Sequence, residues 1–596
     1  MIKELCEFGT PVCEKKYGEW NHVALKEEPI SIELVIDGQG NFKRFEPIEK
    51  ILSIAEALNS KKGSARFLLD KAEEVLCYGG NASLKKHTLF LEKLATYEHL
   101  SVVKPVVAFY GSNKMNGLDK ALRAFGDSIS EKNRGGNVGF RIQNEGLRIH
   151  EKVDVRNEII ATYLVRKKDS PRKKCAICGQ TEFPVEDEPH GMVKNVPAGK
   201  SSGCALVSYN APAFESFGLK GNDNAAICAS CARKYVEGLG FLFSDGNPFK
   251  NEKKKDDVIY THRWPRRRSA NYGLDTAILF WTRNNIEVPE MDLLDAPDAS
   301  TVATMISAVS SGNINDSKYI ETEKFYSCTL SGAAARIAVR DWIETSLGGF
   351  RTSIAQWFND IAITRYDPDQ KKTVTYFASL YALAKSCQRK LQCANKYDDD
   401  DTTWSRVASS LWKTAIYNNI IHKTPVPVWI LSKILQRARV DKYGVTAERA
   451  ALIKLILNRN FIGGDFMITE DSVQGERPVA YICGQIFAKM ESIQYAALGE
   501  RNAGIREKYF TYAMTTPAAA FGRLFNLSSK HFTKLKHERP GLAVNLDKEL
   551  QELCNGIDLE KFPQALPTMF RLEEQGQFAI GYYHQKQKQF ADSNTK

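Results

Sequence analysis

Two cysteine pairs carry the strongest chemical signal in the chain, Cys175-Ala-Ile-Cys178 and Cys228-Ala-Ser-Cys231. A C-x2-C turn sets two thiols on one side of the backbone, and two such turns complete a tetrahedral set of four sulfurs. Four soft ligands with no open position suit a structural Zn2+ rather than a catalytic one. Gly179 follows the first pair, where a tight turn needs a permissive backbone. About 50 residues separate the pairs, more than in compact zinc ribbons, so the ion is expected to staple the neck of a subdomain. Buried thiols and a redox dithiol are the other readings; a redox role calls for one reactive C-x2-C, not two. His190 and Cys204 are spare ligands in the same stretch.

Basic and aromatic residues interleave at His262-Arg263-Trp264-Pro265-Arg266-Arg267-Arg268, and Arg134, Asn137 and Arg141 fall in a stretch rich in Gly, Asn and Arg. Guanidinium groups pair with phosphates and an indole can stack on a base, so both clusters read as nucleic-acid contacts. Solvated surface loops are the alternative. Signatures of catalysis are weaker. Gly199-Lys200-Ser201 mimics the end of a phosphate loop but lacks the earlier glycine, Lys194 standing in its place. Gly199-Lys-Ser-Ser-Gly203 fits G-x-S-x-G, yet Pro197 breaks the strand a nucleophile elbow requires. Asp398-Asp399-Asp400-Asp401 reads as a solvated acidic loop. A binding protein is favoured over an enzyme.

These residues need elements to hold them. Pro29 to Ile36 is a β-branched run ending at Asp37-Gly38, a hairpin signal, with residues 41–45 as the returning strand. Ala65 to Tyr78 has helical spacing. Residues 130–146 read as a loop entering a short strand. The basic stretches 166–174 and 247–268 bracket the cysteine segment. Pro425 and Pro427 mark a break, after which helices are expected over 447–458, 479–493 and 578–584, with Gly463-Gly464-Asp465 between the first two. The expected fold is α+β: a mixed N-terminal domain (1–165), a zinc-knuckle subdomain (166–270), a mixed to helical middle (271–465) and an all-helical C-terminal bundle (466–596).

Composition agrees with this. The chain has 596 residues, 43% hydrophobic and 26% charged, which excludes wholesale disorder and collagen-like fibre. No run of about 20 apolar residues occurs, so no membrane span is expected. Thirteen cysteines, an odd number, without an apolar leader point to the reducing cytoplasm rather than a disulfide framework. The 82 Lys+Arg exceed the 71 Asp+Glu by 11, which fits a polyanionic partner without demanding one.

Five strings, in order, carry a family resemblance. They are Ala205-Leu-Val-Ser-Tyr-Asn-Ala-Pro-Ala-Phe-Glu-Ser-Phe-Gly218 with Asn224-Ala225; Tyr272 to Trp281; Ser331 to Arg336 with Val339-Arg340; Glu448 to Lys454 with Arg459-Asn460; and Leu572 to His584. Together they resemble the large subunit of type I-C Cascade, the CRISPR RNA-guided surveillance complex. Ala226 stands where that pattern has Pro, and the cysteine set lies outside the pattern, so zinc rests on spacing alone.

The resemblance implies a subunit that is not itself a nuclease. It implies binding at the 5′ end of the CRISPR RNA and recognition of the protospacer-adjacent motif in double-stranded target DNA. Strand separation and recruitment of a helicase-nuclease would follow, beside the other Cascade subunits. It also implies that the C-terminal bundle is made separately as a small subunit from an internal start near Met467. In that frame Ser208, Tyr209 and Asn210 offer donors to a phosphate or base edge, or simply cap local turns. Arg336 and Arg340, read as one helical turn apart, grip the guide or a neighbouring subunit, or pair with acids. Lys530, Lys534 and Lys536 are candidate contacts to the displaced single strand. The competing reading is a zinc-containing nuclease or nucleic-acid-processing enzyme with an unrecognised site.

Overall fold

The computed structural model describes the chain except residues 58–64, 187–188, 210, 245–258, 260–261, 265–275, 312–321, 390–402, 417–423, 443, 462–465, 500–502, 558–565 and 595–596. It is a mixed α and β protein, with sheets toward the N-terminus and helices toward the C-terminus. Two compact units are present. The first comprises Met1–Asn195 and Ser201–Phe241; the second comprises Val196–Lys200 and Leu242–Lys596.

The first unit is built on a four-stranded sheet. Strands β1 (Leu25–Ile36) and β2 (Phe42–Glu56) form the expected hairpin. Asp37 closes its turn, its carboxylate accepting from the backbone N–H of Gln39 and Asn41 at 3.0 and 2.9 Å. Burial alone would raise its carboxyl, but Lys43, the Asn41 side chain and those backbone bonds together hold it well below the usual range. Strand β3 (Leu69–Lys71) and strand β4 (Asn137–Ile142) complete the order β2-β1-β4-β3, with β4 parallel to β1. Helices α1 (Ile2–Tyr17), α2 (Ala72–Leu76), α3 (Leu84–Thr96), α4 (Lys104–Tyr110), α5 (Leu118–Ser128) and α6 (Val153–Arg166) accompany it. Phe67, Phe90, Phe109, Phe125 and Phe140 fill the core beside the sheet.

The helix expected over Ala65 to Tyr78 is instead a strand followed by a five-residue helix. Leu68 turns the chain at φ 61°, and Leu69 and Asp70 then pair with Gly139 and Val138 of β4. The Asp70 carboxylate caps the bend by accepting from the Arg66 N–H at 2.8 Å. A neighbouring strand with open hydrogen-bonding groups overrides local helical spacing here.

Next come the short ribbon of β5 (Arg172–Lys173) and β6 (Phe183–Pro184), and helix α7 (Ala229–Leu242). Helix α1 packs on α7: Tyr17 donates to Glu237 at 2.7 Å, Lys16 pairs with the same carboxylate at 3.0 Å, and the Arg233 guanidinium lies 3.7 Å over the Tyr17 ring.

The second unit opens with a sheet of order β10-β9-β8-β7. Its antiparallel strands are β7 (His262–Trp264), β8 (Thr276–Thr282), β9 (Lys324–Ala333) and β10 (Arg336–Ser346). Val196–Lys200 runs beside the β9–β10 turn, the Lys200 N–H donating to Ala334 at 3.2 Å and Gly332 N–H to Pro197 at 2.7 Å. The segment that mimics a phosphate loop is thus a strand-like edge. Helices α8 (Asp292–Asp295), α9 (Ala299–Ser311), α10 (Leu347–Ile361), α11 (Leu380–Ser386) and α12 (Thr403–Ile416) follow. With them are the hairpin of β11 (Ile363–Asp367) and β12 (Lys372–Tyr376), then α13 (Val428–Val440) and α14 (Ala447–Asn460). Strands β13 (Phe466–Ile468) and β14 (Val473–Gly475) precede the five last helices: α15 (Val479–Leu498), α16 (Ile505–Thr515), α17 (Pro517–Glu538), α18 (Pro540–Cys554) and α19 (Leu572–Asn594). One continuous apolar core joins residues from Ile278 to Tyr583. The helices expected over 447–458, 479–493 and 578–584 are all present, whereas Gly463-Gly464-Asp465 and Asp398 to Asp401 lie outside the described residues.

Candidate metal centre and nucleic-acid interface

The four cysteines meet as the spacing predicts. The sulfurs of Cys175, Cys178, Cys228 and Cys231 all lie within 4.8 Å of one another. Each pair forms a knuckle. In the first, Gly179 N–H donates to the Cys175 carbonyl at 3.1 Å, with Gly179 at φ 69°, a conformation a side chain would strain. The Ile177 N–H points at the Cys175 sulfur from 3.4 Å. In the second, Cys228 immediately precedes α7 and Cys231 sits in its first turn, with the Cys231 N–H 3.4 Å from the Cys228 sulfur. The knuckles are tied together by Ala176 N–H to Ala226 carbonyl at 2.9 Å and by Cys228 N–H to the Cys175 sulfur at 3.4 Å.

Backbone N–H groups and a helix N-terminus aimed at sulfur favour thiolates. Crowding opposes ionisation in the absence of a cation: the Cys228 thiol is pushed up by its hydrogen bond with Cys231 and then by burial. A dication relieves that penalty by taking the group as thiolates. The size fits. A tetrahedral ion with bonds of about 2.3 Å to sulfur has sulfur–sulfur edges of about 3.8 Å. Cys178 and Cys228 are 3.8 Å apart. The four cysteines can therefore hold a metal ion. Neither spare ligand joins them: the His190 ring bonds the Tyr235 hydroxyl at 2.8 Å, and Cys204 pairs by backbone with Val193. A fifth cysteine that spacing did not single out, Cys6 on α1, donates to the Cys231 carbonyl at 3.2 Å.

The residues expected to meet nucleic acid are scattered. Arg134 turns inward, donating to the carbonyls of Ile129 and Gly126 at 3.0 and 2.7 Å. Asn137 is buried at the start of β4 and donates to the Pro29 carbonyl at 2.7 Å. Arg141 pairs with Glu33 at 2.6 Å and with Glu46. Beside Asn137 lies an open cavity of about 310 Å³ lined by Ser31, Lys50, Arg66, Lys71 and Gly136, with Glu28 also in its wall. Ser208 and Tyr209 are half-buried, and the Tyr209 ring meets His190 edge-on at 6.2 Å. Arg263 and Trp264 fall on β7, while Asn210, Arg266, Arg267 and Arg268 lie outside the described residues.

The pairing of Arg336 with Arg340 on a helix is corrected: both lie on β10. The hairpin with β9 claims them, and a bulge between Val339 and Asp341 leaves Arg340 as the extra residue, bonded to the Ser331 hydroxyl at 2.9 Å. Lys530, Lys534 and Lys536 are exposed on α17, where Lys534 reaches Glu538 at 3.7 Å. Lys530 and Lys534 share a face; Lys536 is about 200° around the helix from Lys534.

No helix among the described residues is long and apolar enough to cross a membrane. No curated protein matches the chain. A model of one family matches residues 12–590, nearly the whole length, under the description CRISPR-associated protein (Cas_Csd1). The chain therefore belongs to the CRISPR-associated Cas_Csd1 family.

Proposed function

We propose that this chain is the non-catalytic large subunit of a type I-C-like CRISPR RNA-guided surveillance complex. In this reading it binds the guide 5′ end and the protospacer-adjacent motif in duplex DNA, opens the first base pairs, and helps recruit the helicase-nuclease. The family match over residues 12–590 carries the reading, because it spans both units rather than one module. The cysteine cluster supports it as a Zn2+ staple: four thiolates close the coordination sphere and leave no position for an attacking water. Its work is then to lock the segment around α7, and recognition falls to surfaces that the staple braces.

The test is co-expression of the full chain with a guide RNA and the other subunits of a type I-C complex. The chain should co-purify with them, and the assembly should prefer target duplexes carrying one short flanking sequence. Cleavage of labelled DNA by the pure chain with Mg2+, abolished by one carboxylate substitution, would replace this reading with the nuclease one.

A further inference from the structure

Residues 212–220 are exposed without interruption and carry Phe214, Phe217 and Leu219. Phe217 is 99% exposed, so almost none of its ring is packed on the protein. It is not on a loose arm. Ser216 and Leu219 form a bridge, with Leu219 N–H donating to the Ser216 carbonyl at 2.9 Å. The two residues between them, Phe217 and Gly218, have φ of 52° and 74°. That is a two-residue hairpin turn whose first position normally takes Asn, Asp or Gly. A phenylalanine there is strained and fully hydrated at once, and strain of this kind is held only by a brace. The brace is Asn224. Its side chain accepts from Ser216 N–H at 3.2 Å and donates to the Leu219 and Gly221 carbonyls at 3.0 and 3.1 Å.

The charge beside the turn indicates what the ring meets. Next to Asn224, Asp223 pairs with Lys173 at 2.7 Å, which fastens the basic connector Arg166 to Lys174 to the base of the turn. That connector has six cations and one carboxylate, Asp169. Lys167 and Lys173 are paired with Glu186 and Asp223, and Arg172 donates to the backbone carbonyls of Glu182, Lys167 and Lys168, while Arg166, Lys168 and Lys174 are exposed. An isolated, rigidly held aromatic ring beside a cationic strip matches the two faces of a nucleic-acid strand, a flat apolar base and an anionic backbone.

We propose that Phe217 is a stacking residue for an unpaired base of a DNA strand, with the Arg166–Lys174 connector holding the adjoining phosphates. This rests on the nucleic-acid reading given above and assigns one of its contacts. Phe217→Ala and Phe217→Trp in the full chain test it, measured with oligothymidylate and with an abasic strand of equal length and charge. The wild type should favour oligothymidylate over the abasic strand. Phe217→Ala should lose about tenfold on oligothymidylate and nothing on the abasic strand, with an unchanged salt slope, and Phe217→Trp should retain the preference. Phe217→Asn, which relieves the backbone, should melt no lower than wild type yet bind like Phe217→Ala, separating stacking from folding. If wild type binds DNA and Phe217→Ala matches it on both strands, or loses equally on both, the stacking role is wrong. The same holds if the variant binds DNA normally but no longer co-purifies with other subunits, which would make the turn a protein contact. Wild type that binds neither strand overturns the nucleic-acid reading itself.

Discussion

The Cys178 sulfur stands 3.8 Å from the sulfur of Cys228, 50 positions further along the chain. That edge length is the one a tetrahedral Zn–S site requires, and it joins a loop knuckle to the start of a helix. The purified protein is therefore expected to carry about one zinc per chain. Cys228→Ser should remove the metal and cost about 3 kcal/mol, lowering the melting temperature by roughly 10 °C in a unit of this size. Metal analysis and calorimetry read both effects. Zinc-free protein from untreated cells would remove the staple.

Arg141 and Arg134 should behave as structural residues. The Glu33 side chain is 7% exposed and is held between Arg141 and Arg148 at 2.6 and 2.7 Å. Arg141→Ala leaves it half-paired, and a loss of about 2 kcal/mol in urea melts is expected. The salt dependence of DNA binding should not move. Replacing Lys530 and Lys534 together should instead shallow that slope by about 1 to 2, since both are exposed on one face of α17. The opposite pattern would exchange the two roles.

What could be read from residues alone divides along the same line. The knuckles, the Asp37-Gly38 hairpin and the helices of the last third are set by neighbours within a few positions, so spacing reveals them. Arg141 is settled by Glu33, 108 residues away, and a local count of Gly, Asn and Arg carries no trace of that carboxylate. Arg336 and Arg340 lie on a strand because β9 is there to pair with it, and Leu69 because β4 is. Phe217 had a local signal, an aromatic directly before a glycine; its isolation from every packing partner did not show.

Helices α15 and α19 meet through two glycines. A methyl group at Gly484 would fall on the Phe578 carbonyl oxygen, and one at Gly581 on that of Tyr481. Both obstacles are backbone, which cannot rotate away. Gly484→Ala and Gly581→Ala should each destabilise the second unit by about 2 kcal/mol or more, despite the higher helix propensity of alanine. Denaturant midpoints equal to or above wild type would show that the crossing has slack.

His584 links stability to pH. It is buried beside Tyr481, whose hydroxyl is 2.9 Å from Nδ1, and burial pushes its pKa down to about 3. The unfolded chain binds this proton near pH 6.5 while the folded chain refuses it until about pH 3. Its contribution is thus full above the unfolded value and is lost as pH falls through that window, by a few kcal/mol in all. Urea melts at neutral pH and near pH 4.5 should diverge more for wild type than for His584→Gln. Equal divergence would place the acid sensitivity elsewhere.

Met467 lies on β13, half-exposed, ahead of all five last helices. If an internal start near this codon makes a small subunit, that product contains α15 and α19, which pack along one another and supply much of a bundle core. It also loses cover. In the full chain α19 lies on α13 and α14, with Leu431 and Leu457 against Gly576. It also bonds β11, through Gln587 to the Tyr366 N–H at 2.7 Å and through the Tyr583 hydroxyl to the Thr364 carbonyl at 2.9 Å. A product of residues 467–596 bares that face, so it should self-associate and bind a hydrophobic dye that the full chain ignores. Expression of the native gene with a C-terminal tag should give two tagged products. Synonymous recoding of the ribosome-binding region before codon 467 should remove only the shorter. A short product that survives recoding and vanishes with protease inhibitors would be a degradation fragment. A monomeric, dye-silent 467–596 would mean that the bundle rearranges to cover its own exposed face.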